Sequence, residues 1–384
     1  MALDPEMAAR RSFNDLGLFT GAPQAENFAN LKNLVPVREM PASSHPEPWP
    51  AGEPLELPAT FDFAGETYDT AKYLADSETS ALLVLQDGKL RAEHYWLTGG
   101  PDVQWISMSV AKSWVSAVVG IAVAEGAIRS IDDPISDYIS VALGSAYEGV
   151  AIVDILRMSS GARWDEDYGN LESDAIRLAR ATSLPDGSLT EFVANMVRES
   201  EPGSVCRYNS ADTQALGQLI INATGRDLAS YMHEKLVEPL GFEQPAYWIL
   251  DGQGLELAFA GVNMTARDFA RIGELYRHGG DWHGRQVVPQ EWVEASTRVA
   301  TPVQAPGAVL IGSETLPIGY GYQWWLPTPG VFAAEGVYNQ TVYVDPARRV
   351  TVVKLSATRK YGHADDTVSP LAGPLIAAIA ASVD

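Results

Sequence analysis

Residues 109–125, SVAKSWVSAVVGIAVAE, restrict the possible folds more than any other segment of the chain. Ala and Val dominate this stretch, Gly126 follows it, and after Ser109 its only polar side chains before Glu125 are Lys112, Ser113 and Ser116. The composition predicts a helix without a polar face, and such a helix must be surrounded by protein. The 384 residues supply enough chain to wrap it and exceed the size at which one core usually stops growing. Two lobes, or one domain with a large insertion, are therefore expected. The longest apolar run, Trp114 to Ala124, is interrupted by Ser116 and Gly120 and falls well short of the roughly 20 residues a bilayer span needs, so no membrane partner is expected.

The remaining composition narrows the class. Hydrophobic residues make up 46% and charged residues 20%, as in globular proteins. The 27 basic residues face 49 acidic ones, a net charge of −22, which argues against nucleic acid because phosphate binding draws on Lys and Arg. Cys206 is the only cysteine, so an intrachain disulfide and a cysteine zinc cluster are excluded. Met1 to Thr20 carries Asp4, Glu6, Arg10, Arg11 and Asp15 and no apolar run like a signal-peptide core, so a cytoplasmic location is the expectation.

Along the chain, residues 1–60 read as an extended arm, proline-rich from Pro23 to Pro58. Ala81 to Leu85, the turn Asp87-Gly88 and Lys89 to Trp96 predict a β-hairpin. Helices are expected over Ser210–Ile221, stopped near Gly225, and over Asp227–Val237 before Pro239. Thr265 and Asp268 are expected to cap another through Tyr276. Val337–Val344 and Val350–Leu355 predict a second hairpin, and Leu371–Val383 a final helix. Strands thus gather at both ends of the chain. The expected fold class is mixed α/β, an antiparallel sheet flanked by helices, built from 61–129 and 261–384, with a mostly helical domain, 130–260, inserted.

Ser109 and Lys112 lie three apart, so a helix presents them as neighbours. None of the other six lysines follows a serine by three positions. At the start of a helix, Ser109 would sit in the positive end of the dipole, where backbone N–H groups stabilise an oxyanion. Lys112, carried on a buried helix, must be paired or lose its proton. A neutral amine beside a hydroxyl is a general base beside a nucleophile, and the pair points to acyl transfer. A second segment, Pro202-Gly203-Ser204-Val205-Cys206-Arg207-Tyr208-Asn209-Ser210, leads through a turn to a Tyr-x-Ser at a helix start. A phenol near an ammonium should have its ionised form favoured, so Tyr208 is expected to help take the serine proton and return it to a leaving group.

The order of Ser109-x-x-Lys112, Pro202-Gly203 with Tyr208-Asn209-Ser210, and Glu238-Pro239-Leu240-Gly241 resembles the class C β-lactamase and penicillin-binding-protein superfamily. More narrowly it is similar to the family VIII carboxylesterases and the 6-aminohexanoate-dimer hydrolases. Met158-Ser159-Ser160-Gly161, Gly284 to Pro289 and Gly336 to Pro346 support it from about residue 80 onward. The resemblance implies a β-lactamase-like fold and a serine hydrolase of short amides or esters, with Ser109 as nucleophile, Lys112 as base and Tyr208 as proton shuttle. It implies no cofactor and allows a homodimer. A D-aminopeptidase or β-lactamase-type peptidase, and a catalytically silent binding protein of the same fold, remain alternatives.

Two departures from the pattern bear on substrate. Where the superfamily carries Lys-Thr-Gly, this chain has Ala334-Glu335-Gly336-Val337. The resemblance pairs the N–H of Val337 with that of Ser109 as an oxyanion hole, a role indifferent to side chains. Glu335 brings a negative charge where the pattern holds a substrate carboxylate, so neutral or amine-bearing substrates are expected. Ser210 stands where β-lactamases usually have Asn, and it can still bond both Lys112 and a substrate amide. Tyr168, in Trp164-Asp165-Glu166-Asp167-Tyr168, is expected on a loop over the site, Gly336 beside the substrate, and Asn263 in the cavity wall. The six histidines are scattered, so no metal site is expected. Neither G-x-S-x-G nor a glycine-rich phosphate loop occurs.

Overall fold

Strands alternate with turns at both ends of the chain, as the patterning requires. The computed structural model describes residues 16–183, 187–308 and 315–383, so the charged stretch 1–15 lies outside the described residues. The N-terminal part contributes β1 (Val37–Met40), β2 (Thr60–Phe63), β3 (Glu66–Asp69), β4 (Thr79–Gln86), β5 (Lys89–Tyr95) and β6 (Trp105–Ile106). The rest of the chain adds β7 (Ala246–Ile249), β8 (Val262–Met264), β9 (Asp281–Trp282) and β10 (Arg285–Gln286). Next come β11 (Gly319–Tyr320), β12 (Trp325–Thr328), β13 (Val331–Gly336), β14 (Gln340–Asp345) and β15 (Val350–Ser356). The principal sheet is antiparallel in the order β11-β12-β13-β14-β15-β4-β5, so the first hairpin docks on the last strand. Asp87 and Gly88 both have positive φ, as the expected tight hairpin turn demands.

The main helices are α1 (Ala111–Ala124), α2 (Asp174–Ser183), α3 (Ser210–Thr224), α4 (Ala266–Arg277) and α5 (Ala372–Ala381). Every residue of α1 from Ala111 to Ala122 is buried, as its composition requires. Leu83, Leu85, Val342, Val344 and Val353 share the large core with α1 and α4. Leu82, Val84, Val350 and Val352 instead pack with Leu375 and Ile379 of α5. Alternation along β4 and β15 thus feeds a helical layer on each face of the sheet.

A smaller sheet, β1-β7-β8-β6, joins the proline-rich arm through β1 to β7 in the middle of the chain, and through β8 to β6, which leads into α1. It thus draws one strand from the arm, one from just before α1 and two from the middle of the chain. Two local expectations are corrected. Val337–Asn339 is a turn rather than strand, because Tyr338 and Asn339 both take left-handed φ, and the hairpin is β13–β14 extended by β15. The helix after Asp227 is α-helical only to Met232 and then widens into a π turn, His233–Val237.

One side chain on β15 opposes the packing. Lys354 is fully buried, its Nζ donates to Ser356 Oγ and stands 5.3 Å from the Tyr73 ring centre, and among the described residues it forms no ion pair. Burial pushes the amine down to about 7. The unfolded chain therefore holds a proton that the folded one releases between about pH 7 and pH 10, and this contribution to stability rises with pH across that window. Lys354→Met is expected to stabilise the fold at pH 7 by about 1–4 kcal/mol, with a smaller gain at pH 10. Thermal melts at the two pH values check it; a gain independent of pH would show that the amine is not the cause.

Candidate active site

The helix that follows Ser109 starts from a strained turn. β6 ends at Ile106, opposite Asn263 of β8, and the chain turns through Met108, whose φ is +46°, into a 3₁₀ turn (Met108–Val110) that runs into α1. A left-handed non-glycine residue costs on the order of 1–3 kcal/mol and persists only where its surroundings enforce it. Ser107 supplies that enforcement, its one hydroxyl hydrogen shared between the carbonyls of Met108 at 3.0 Å and Ala260 at 3.1 Å. Ser109 is thereby set at the head of α1 with its residual exposure facing a cleft.

Lys112 reaches back one turn as the spacing predicts. Its Nζ donates to Ser109 Oγ at 2.9 Å, Ser210 Oγ at 3.1 Å and the Phe259 carbonyl at 2.9 Å. Burial lowers its pKa to about 8, against the opposing pull of Glu166. An ammonium has a partner for each of its three hydrogens here. A neutral amine would keep two and turn its lone pair to Ser109, the geometry a base needs.

Tyr208 lies just before α3, whose N-cap Asn209 accepts from the Ala211 N–H at 2.8 Å. Its ring stands 5.0 Å from Lys112 Nζ and stacks on Trp325, with Tyr320 edge-on. The phenolate expected here is corrected. Burial pushes the Tyr208 pKa well above its ordinary value, the Glu166 charge adds to this, and a hydrogen bond with Ser109 only partly offsets them. Tyr208 is therefore a neutral phenol in the resting site, suited to donating a proton rather than to standing as an anion.

Three supporting groups escaped the sequence reading. Glu166 accepts from Ser210 Oγ at 2.9 Å, the Tyr168 hydroxyl at 2.5 Å and the Trp164 indole N–H, and so ties the acidic loop to the Ser-Lys pair. The Phe259 carbonyl takes the third Lys112 hydrogen. Asp212 of α3 is buried and accepts at Oδ1 from Ser160 Oγ (2.7 Å), the Tyr147 hydroxyl (2.9 Å) and Asn209 Nδ2 (3.1 Å). Burial pushes its carboxyl up to about 7. The Met158-Ser159-Ser160-Gly161 motif therefore acts through Asp212 and Asn209 on the loop that presents Tyr208. Of these groups only Glu166 had a visible signal, its place in an acidic, aromatic loop.

Two cavities meet at Ser109, and Glu166, Tyr168 and Val337 line both. The wider, about 860 Å³, is walled by Tyr208, Trp325, Glu335, Gly336 and Tyr361. The narrower, about 330 Å³, is largely apolar, with Leu18, Phe19, Leu171, Ile176 and Phe259 in its wall. Phe19 of the N-terminal arm stacks on Tyr168 at 4.3 Å, so the arm helps roof the site. Burial pushes Glu335 up to about 7. Asn263 is corrected: it is fully buried in β8, donates Nδ2 to the Gly261 carbonyl at 2.9 Å, and is absent from both cavity walls, because β8 is an interior strand between β7 and β6. Among the described residues no cluster of His, Cys, Asp or Glu could hold a metal ion, and no helix is long and apolar enough to cross a membrane.

The chain shares this architecture with proteins already known. It is 30% identical over 344 residues to the 6-aminohexanoate-dimer hydrolase of Paenarthrobacter ureafaciens, covering 86% of this chain and 84% of that one. The solved structure of the "Putative 6-aminohexanoate-dimer hydrolase from Bacillus anthracis" superposes with a TM-score of 0.83 at 22% identity, covering 97% and 98% of the two chains. "EstCE1, a hydrolase with promiscuous acyltransferase activity" superposes at 0.61 and 18% identity, covering 82% of this chain and 98% of its own. The Beta-lactamase family model matches residues 71–373, and with the fold and the Ser-Lys-Tyr cluster in place the chain belongs to that family of serine hydrolases.

Proposed function

We propose that the protein hydrolyses short amides or esters through an acyl-enzyme on Ser109. The observation that carries this reading is the convergence of Ser109, Lys112 and Ser210 in one hydrogen-bonded group at the mouth of a cleft, with Tyr208 against it. Lys112 takes the Ser109 proton as Oγ bonds to the substrate carbonyl carbon. The oxyanion that forms is met by the N–H groups of Ser109 and Val337, two residues that line the same cleft. Tyr208 donates a proton to the departing nitrogen or oxygen as its bond to carbon breaks, and is reprotonated from Lys112. Water entering the vacated space then repeats the sequence with its own proton and frees the acid.

A relative named for the dimer of 6-aminohexanoate and a structural neighbour named as a hydrolase with acyltransferase activity support an amide or ester substrate. Intact-mass measurement after mixing with a fluorophosphonate is expected to show one adduct, and peptide mapping to place it on Ser109. An unmodified protein, or an adduct on another residue, would refute the assignment.

A further inference from the structure

Glu335, on the wall of the wide cleft, is a carboxylate without a partner among the described residues. It is partly exposed into the wide cleft, and among the described residues it has neither a hydrogen bond nor an ion pair. Its charge is felt by the hydroxyls of Tyr208 and Tyr361, which share that wall, and among the described residues no cation stands near enough to counter it. A half-buried, uncompensated carboxylate is costly, and the cost falls when a ligand supplies the positive charge.

The two cavities also differ in which catalytic groups they see. Tyr208, the acid that must face the leaving group, lines the wide cleft with Glu335 and is absent from the narrow cavity. The leaving group therefore departs into the wide cleft, and the acyl chain is left with the narrow, apolar cavity. We propose that Glu335 receives an ammonium carried by the leaving group, so that the preferred substrates join an apolar acyl chain to a diamine or an amino alcohol. This rests on Ser109 being the nucleophile. Glu335 and Val337 are two positions apart across Gly336, the last residue of β13, at most roughly 7 Å along the chain, which fits a spacer of about three to five carbons between the scissile bond and the ammonium. In the reaction Ser109 Oγ displaces the amino alcohol or diamine from the carbonyl carbon, the Ser109 proton reaches the leaving atom through Lys112 and Tyr208, and water later releases the carboxylic acid. The ammonium on Glu335 takes no part in bond making.

The test compares 4-aminobutyl hexanoate with pentyl hexanoate, which pass through one and the same hexanoyl-enzyme. The protein is expected to favour the charged ester in kcat/KM by about 10- to 100-fold, the range of one charge-assisted contact, and Glu335→Gln is expected to remove that preference. The loss should fall on acylation and not on breakdown of the shared hexanoyl-enzyme. No preference, or one that survives in Glu335→Gln, would overturn the proposal, and a Glu335 effect confined to breakdown would overturn the assignment of sides. A measurement on the unaltered protein guards against a variant that fails to fold: n-butylammonium should slow fluorophosphonate labelling and n-butanol should not. Should neither ester acylate the protein, the Ser109 reading fails by itself. Calorimetric binding of n-butylammonium to the unaltered protein, lost in Glu335→Gln, would still support the cation site, and absence of binding would overturn it.

Discussion

Ser109→Ala and Lys112→Ala are each expected to lower kcat/KM for a p-nitrophenyl ester by about 10³-fold or more, and the double variant is expected to fall no further. The reason lies in their contact. Lys112 Nζ and Ser109 Oγ are 2.9 Å apart, and the proton that the amine passes on through Tyr208 is the one it takes from Ser109, so a base without its nucleophile, or the reverse, contributes nothing. Independent contributions would multiply instead, and a double variant far worse than either single one would show that the two residues do not act as a unit. Lys112→Arg should be as inactive as Lys112→Ala, because a guanidinium keeps its proton at any accessible pH. The rate should also follow the proton on Lys112. Its pKa is lowered to about 8, and the neutral amine is the active form, so kcat/KM rises as pH climbs through that value. A profile flat from pH 6 to pH 9 would remove Lys112 as the base. Stability should move the other way: a buried ammonium opposes folding, so Lys112→Met should melt no lower than the unaltered protein while losing its activity, which separates a catalytic from a structural lysine.

How much of this was legible in the sequence depended on whether the relevant contact is local. Ser109 and Lys112 are one helical turn apart, and Tyr208 and Ser210 sit on one cap, so spacing alone brought each pair together. The hairpin around Asp87-Gly88 and the buried character of α1 were readable for the same reason. Glu166 and the Phe259 carbonyl were not, because each enters the site from a distant segment and one of them is backbone, and Asp212, though beside Ser210 in sequence, shows its role only through Ser160 and Tyr147, which are distant. The charge state of Tyr208 was misjudged because burial and Glu166 govern it, and neither can be read from the neighbouring lysine. The proline-rich arm was read as extended, yet its pairing through β1 with β7 and the stacking of Phe19 on Tyr168 join residues far apart in sequence. The Tyr338-Asn339 turn was hidden by apolar residues on both sides, Val337 and Val342 among them, which made turn and strand look continuous.

Gly336→Ala is expected to lower the rate of acylation by about 10²-fold or more, the loss that follows removal of one oxyanion donor. β13 ends at Gly336 directly against the turn that carries Ser109. A Cβ at this position would stand 2.8 Å from the Ser107 carbonyl oxygen, 2.9 Å from the Ser109 nitrogen and 3.0 Å from Met108 Cβ. The first two are backbone atoms, fixed by the strained turn at Met108, and cannot rotate away. The strand must withdraw instead, and it carries the Val337 N–H with it. Because acylation and deacylation each pass through a tetrahedral oxyanion in the same place, both rates should fall together, while substrate affinity, which does not depend on that charge, should change much less. The side chain added is one methyl group, so a stability loss of about 1–3 kcal/mol is the most that overpacking should bring, and the protein should still be labelled, slowly, at Ser109. Acylation at the unaltered rate in a folded Gly336→Ala protein would mean that the Val337 N–H is not a donor, and the oxyanion would then have to be met from the helix end at Ser109 alone.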